Sequence, residues 1–311
     1  MSAGLLVDAA LGLILVGLAL QVISGHQLFR SIVFYVAFGL VMAMIWARLG
    51  ALDLALADAA LGAGLVGALM MVAFRRLVEF EPVQTADAGA RDSTLVPVVA
   101  LLSAALVAAL GFSALPVADI EGRAGELALA RLDELGLGNP VAAVVLVFRG
   151  FDTLIEMLVL LTAYLGARVV AEPRTRLAEP VQAYELPLVR SLLAVIVPIV
   201  MLVAFNLLWI GADHPGGAFQ AGSMLAAAGV LLLLTGRLLP VERSTWLTRL
   251  ALMLGVAALL LLVLAPMLAG HVAMAYAGRG ALLAAEAAMM MSITLTLTLL
   301  FAGAPAVRVL R

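Results

Sequence analysis

Long apolar blocks, interrupted by a few short polar stretches, set the pattern of this chain. Runs of about 20 apolar residues, enough to cross about 30 Å of hydrocarbon as α-helix, fall at 5–24, 30–48, 53–74, 95–115, 141–167, 187–210, 217–239, 246–268 and 281–302. The pattern predicts an all-α polytopic membrane protein with about nine transmembrane helices. A porin-like barrel would show short alternating segments, and neither these nor any other strand is evident. The polar stretches RRLVEFEPVQTADAGARDST (75–94) and RVVAEPRTRLAEPVQAYELP (168–187) divide the runs into units of three, two and four spans, placed at 1–92, 93–172 and 173–311. Between spans four and five, residues 124–135 carry a helical pattern, which fits a short surface helix or lies within a disordered loop. No internal repeat and no matched pair of broken helices is seen, which weighs against a solitary permease.

Composition agrees with the pattern. Of 311 residues, 65% are hydrophobic and 12% charged, and the mean hydropathy of +1.18 lies far outside the soluble range. The first run begins close to Met1 without a basic flank or a small-residue cleavage site, so it is expected to stay as a helix. Cysteine is absent, which excludes disulfides and thiolate chemistry. The net charge of -2 says little, but the placement of the eighteen arginines says more. With the N-terminus outside, thirteen arginines fall in cytoplasmic segments and four outside, Arg149 apart, as the positive-inside tendency requires. The expected orientation is therefore N-terminus out and C-terminus in, in the cytoplasmic (inner) membrane.

Candidate chemistry lies where ionisable residues enter these apolar runs. In FRGFDTLIE (148–156), Arg149, Asp152 and Glu156 are spaced by three and four, which places them on one face of the fifth helix. A charge near the bilayer centre costs about 3 kcal/mol on insertion scales, so this face is expected to meet protein or a hydrated cavity. Asp152 can neutralise Arg149, and Glu156, a turn deeper, is read as a proton-exchanging group; the alternative is that all three sit at the outer interface, pairing or anchoring a neighbouring subunit.

In LGALDLALADAALGAGL (49–65), Asp53 and Asp58 stand about 140° apart around the third helix. Asp53 reads most simply as a helix N-cap, whereas Asp58, over a turn inside, is assigned either to an ion pathway or to packing. GADHPGGAFQAG (211–222) joins spans six and seven through a turn forced by Pro215, Gly216 and Gly217. Gln220 and Ser223 continue one face inward, and His214 is either a proton relay or a structural histidine. Glu286 sits about a turn into the last span with no basic residue within helical reach. It should be neutral or paired with another helix. No Walker loop, GxSxG, HExxH or CxxC occurs, so no catalytic site, metal or cofactor is expected, nor a nucleic-acid partner.

These same stretches resemble a known family. FRGFDTLIE is similar to the RGFDTLGE segment of the small hydrogenase-type E unit, MbhE-like, which in Mrp-type multisubunit cation/proton antiporters forms part of the C-terminal extension of the large A subunit. LGALDLALADAALGAGL resembles the LGAPDVALTEA segment of the preceding MbhD-like unit, and GADHPGGAFQAG the PGG turn of the four-span MrpB/MnhB-like unit. Ile155, Leu52 and Asp58 stand where that pattern has glycine, proline and glutamate. The resemblance implies a fused membrane subunit of an Mrp-type Na+/H+ antiporter, related to the membrane arm of respiratory complex I. Its implied partners are other antiporter-complex subunits, including large fourteen-span subunits whose proton channels use lysines; this chain has no lysine and is not one of them. It also implies H+ and Na+ or another monovalent cation as transported ions; from the residues themselves, Asp58, Asp152, Glu156, Arg149 and Glu286 are expected in the pathway, with His214, Pro215, Gly216 and Gly217 shaping a subunit contact. The same module in a membrane-bound hydrogenase or other redox-driven pump, and a purely structural membrane subunit, remain open alternatives.

Overall fold

The computed structural model describes residues 3–24, 27–80, 95–114, 123–170, 187–241, 243–271 and 278–309. The middles of the two dividing stretches, 81–94 and 171–186, lie outside the described residues, as does His26. Among the described residues, the chain is all-α apart from one short two-stranded antiparallel sheet. Helices α1 (Ala3–Ser24) and α2 (Leu28–Arg48) are followed by α3 (Leu52–Ala57), which continues through a π-helical segment, Asp58–Val66, into α4 (Gly67–Phe80). Next come α5 (Leu95–Ala114), the short helices α6 (Arg123–Ala130), α7 (Leu132–Leu135) and α8 (Pro140–Ala143), a second π segment, Val144–Phe148, and α9 (Gly150–Val170). The rest comprises α10 (Pro187–Ile210), α11 (Ala218–Leu234), β1 (Leu238–Val241), α12 (Trp246–Leu268), α13 (Arg279–Ala302) and β2 (Ala306–Val309).

Among the described residues, seven helices are long and apolar enough to cross a membrane. The other two predicted spans occur as the shorter apolar helices Leu101–Ser113, within α5, and Ala218–Leu234. At about 1.5 Å per residue, α11 reaches about 25 Å. It stops short of the predicted 239 because Gly236 turns the chain with φ +71° and Pro240 lacks the amide a helix needs. Residues 238–241 instead pair antiparallel with 306–309, Leu239 opposite Arg308. This two-stranded sheet corrects the expectation of no strand, and four-residue strands are too short to show an alternation in sequence.

Helix α13 is the axis of the C-terminal bundle. It packs on α11 and α12, and α10 packs on α11. Close approach comes from small residues: Gly222 lies against Ile293 and Met290, and Gly255 against Met157, Met289 and Ser292. Hydroxyls on α13 satisfy neighbouring carbonyls, Ser292 donating to Leu252 at 2.6 Å and Thr294 to Gly222 at 3.2 Å. Helix α2 carries the N-terminal helices, touching α1, α3, the first π segment and α4; α3 and that π segment then pack on α11. Arg48 pairs with Asp8 at 2.6 Å, tying the end of α2 to the start of α1. The two side chains thus neutralise each other.

Candidate functional site

All three predicted units meet at one buried turn. Residues 211–217 fold back so that the Gly217 amide donates to Leu207 O at 2.9 Å, and Gly217, with φ +111°, opens α11. Only glycine takes that backbone angle without strain. A Cβ at Gly217 would also meet Glu286 Oε1 at 2.9 Å. Against the turn lies Asp53, only 6% exposed, whose Oδ1 accepts from the Gly216 amide at 2.8 Å. The Gln220 amide donates to Asp53 O at 3.2 Å and approaches its Oδ1 at 3.4 Å. From the other side comes Glu286, 5% exposed, which accepts from the Ala218 amide. Two buried carboxyl groups from α3 and α13 therefore flank the start of α11, where free amide N–H groups favour anionic oxygens.

The second unit enters through Asn139. Its Oδ1 accepts from Val141 N at 2.9 Å, capping α8, while its amide donates to Gly211 O and His214 O, each at 3.0 Å. The Gly138 and Asn139 amides both donate to Ala212 O. Arg279 closes this end by pairing with Asp213 and donating to Gly136 O at 3.3 Å.

Hydrogen bonds from the Arg279 guanidinium hold the Asp213 carboxyl below its ordinary value of 3.8. Because the folded value is depressed, the contact's stabilisation is present above that ordinary value. It is lost as pH falls through the folded one. Arg279→Ala is thus expected to lower thermal stability at neutral pH, with the difference from the unmodified chain shrinking below about pH 4; melting curves across pH 3–7, a window spanning the carboxylate range, test this. A difference unchanged at low pH would rule the contact out as its source.

The α9 face differs from the expected single helix. The helix breaks at Arg149, φ −129° and ψ 29°, between the second π segment and α9, so Arg149 belongs to a bend and not to a shared helical face. Its amide reaches back to Val144 O at 2.7 Å, and Thr153 Oγ1 donates to Val145 O at 2.6 Å. That hydroxyl satisfies a carbonyl the break leaves open. Periodicity could not reveal this, since a π turn differs from α by one residue per turn. Arg149 nonetheless pairs with Asp152, and Glu156 follows one turn on. All three are exposed on this chain.

Asp58 stands apart. It opens the first π segment, which packs on α2 and α11, whereas α9 packs on α12 and α13. Its Oδ1 lies over Gly62, where a Cβ would meet it at 2.6 Å. If Asp58 carries ions, Gly62→Ala should displace its carboxylate and reduce transport several-fold without loss of the protein from membranes. Unaltered ion flux in vesicles would argue that Asp58 only packs.

Of the predicted turn residues, Pro215, Gly216 and Gly217 shape the fold, but His214 is exposed and contributes only its carbonyl to Asn139. Asp53 does not cap its helix: the N-cap is Ala51, and the Asp53 side chain binds across to Gly216. Asn139 is a site residue that sequence reasoning does not single out. The Asn-Pro dipeptide signals the cap, but nothing local signals that its amide holds a turn 72 residues away.

A family model of MbhD, the D-type MBH subunit, matches residues 13–79, and a model of a domain related to the MnhB subunit of Na+/H+ antiporter matches 188–306. Among solved structures, a chain of the Mrp complex from Dietzia sp. DQ12-45-1b superposes with TM-score 0.71 over 95% of this chain, at 20% identity. The present chain spans 34% of the length of that one. At that identity the likeness shows a shared fold. No curated protein matches.

Proposed function

Because the chain joins an MbhD-type domain to an MnhB-related domain on a fold shared with part of an Mrp-complex chain, we propose that it is a membrane subunit of an Mrp-type monovalent cation/proton antiporter complex. It is not an enzyme in this reading. It contributes carboxylates to an ion pathway and joins antiporter-like subunits, large fourteen-span ones among them. The observation that carries the proposal is the order of the two matched domains along a single chain. The exposed ionisable face on α9 adds support, since a protein that worked alone in lipid would bury or lack it.

We assign Glu156, Asp152, Asp58 and Glu286 to H+ and Na+ transfer, or transfer of another monovalent cation, with Arg149 tuning Asp152. The intervening segment, 93–172, is the MbhE-like unit of the resemblance. Insertion in the cytoplasmic membrane with the N-terminus outside is supported by the pairing of arginines. Arg48 pairs with Asp8, Arg149 with Asp152 and Arg279 with Asp213, all towards one end. Among the described residues, Arg168, Arg237, Arg243, Arg249 and Arg308, towards the other end, make no ion pair with a carboxylate. The count of arginines favours the same orientation, thirteen in the segments it makes cytoplasmic against four outside.

The MBH match also supports one rival, the same module in a redox-driven membrane complex. Purification of the tagged chain from its host in mild detergent separates the two. Co-purifying antiporter-like subunits without redox proteins support the proposal, iron–sulfur or hydrogenase subunits favour the rival, and a chain recovered alone defeats both.

A further inference from the structure

We infer that the outward face of α9 is a subunit seam, and that the transmembrane helix seated on it carries a basic side chain, Lys, Arg or His, that pairs with Glu156. The inference deepens the antiporter-subunit reading and rests on it, because it requires another membrane chain. Helix α9 is two-sided. Thr153, Leu154, Met157 and Tyr164 are buried, and that side packs on α12 and α13, with Met157 Cε set into the space above Gly255. Phe151, Asp152, Ile155, Glu156 and Val159 lie on the opposite side and are exposed. Their spacing of three and four makes one continuous strip.

Charge decides what can cover this strip. Arg149 pairs with Asp152 and is also within electrostatic reach of Glu156, so two carboxylates share one guanidinium and the strip carries one excess negative charge. Among the described residues no basic side chain forms an ion pair with Glu156. Nor can the elements packed against α9 supply one. Arg279, the basic residue of α13, pairs with Asp213, the π segment Val144–Phe148 carries no charge, and Arg249 of α12 lies by Tyr164, two turns further along α9.

Lipid tails would leave the carboxylate at a cost of about 3 kcal/mol on insertion scales. A second copy docked face to face would bring the same excess negative charge, and like charges placed opposite oppose binding. What fits is a different helix with a positive group at the depth of Glu156, its apolar flank resting on Phe151, Ile155 and Val159. The ion route then runs between subunits, lined on this side by Asp152 and Glu156.

A photo-crosslinking residue placed at Ile155 or Val159, in the assembled complex in host membranes, tests the seam. Both positions are expected to capture one and the same membrane subunit, with the adduct within about one helical turn of a Lys, Arg or His. Glu156→Arg is expected to lower the capture yield about tenfold, and a Glu introduced at the partner's basic position to restore it. Adducts to lipid only, or to a peptide without a basic residue, in a chain that still co-purifies with antiporter subunits, would overturn the inference and leave the subunit reading standing. A chain that purifies alone would overturn the reading and the inference together.

Discussion

Glu156→Gln is expected to reduce cation/proton exchange by the assembled complex about a hundredfold, the scale on which a positioned proton-transfer group acts, while the chain itself folds normally. Glutamine keeps the size and the hydrogen-bonding reach of the side chain but cannot take up or release a proton. Because Glu156 is exposed on this chain and makes no hydrogen bond within it among the described residues, the exchange disturbs no internal packing. The expected result is therefore lost flux per assembled complex, with at most a partial fall in subunit recovery from the ion pair lost across the seam, read as pH-gradient dissipation in vesicles beside subunit recovery on a native gel.

Asp152→Asn should behave in the opposite way. It removes the counter-charge of Arg149 and leaves a bare guanidinium at a helix break, so subunit recovery should fall first. Full exchange activity in Glu156→Gln vesicles would remove the residue from the ion pathway and leave it as an anchor between subunits.

How far these sites were legible in the sequence depends on the range of the interactions that make them. Apolar length fixed the helices, because a segment in lipid must satisfy its own backbone and so reads locally. The antiparallel pairing of 238–241 with 306–309 joins strands too far apart in sequence for either to foretell the other. The Asp152–Arg149 pair was legible because it spans three residues, but the break beneath it was not. Asp53 shows the limit most clearly. Its position near a helix start makes a cap the simplest reading, yet its carboxylate is held by the amide of Gly216, 163 residues on. No local pattern distinguishes an aspartate that caps its own helix from one that clasps another's turn. The Pro-Gly-Gly signal marked the turn correctly, but which groups gather around it is a tertiary fact.

That gathering makes the turn sensitive to a single methyl group. Gly217→Ala would hold alanine at φ +111°, a strain of about 1–3 kcal/mol, and place its Cβ 2.9 Å from Glu286 Oε1. Something must give: the carboxyl group leaves the Ala218 amide, or the turn opens and releases Gly216 from Asp53. Either path breaks the clasp between α3, α11 and α13, so both folded yield and exchange activity should fall severely.

Glu286→Gln separates the two effects. The introduced glutamine could still accept from the Ala218 amide through its carbonyl, and its neutral NH2 has Gln220 Oε1 nearby, since that oxygen lies 3.6 Å from the same Cβ position over Gly217. This variant is expected to keep its melting temperature within a few degrees while exchange falls at least about tenfold, because a buried proton site is lost and its packing is not. If Glu286→Gln instead melts early and Gly217→Ala does not, the carboxyl group serves as a strut for the turn. The ion route must then bypass it along the α9 face.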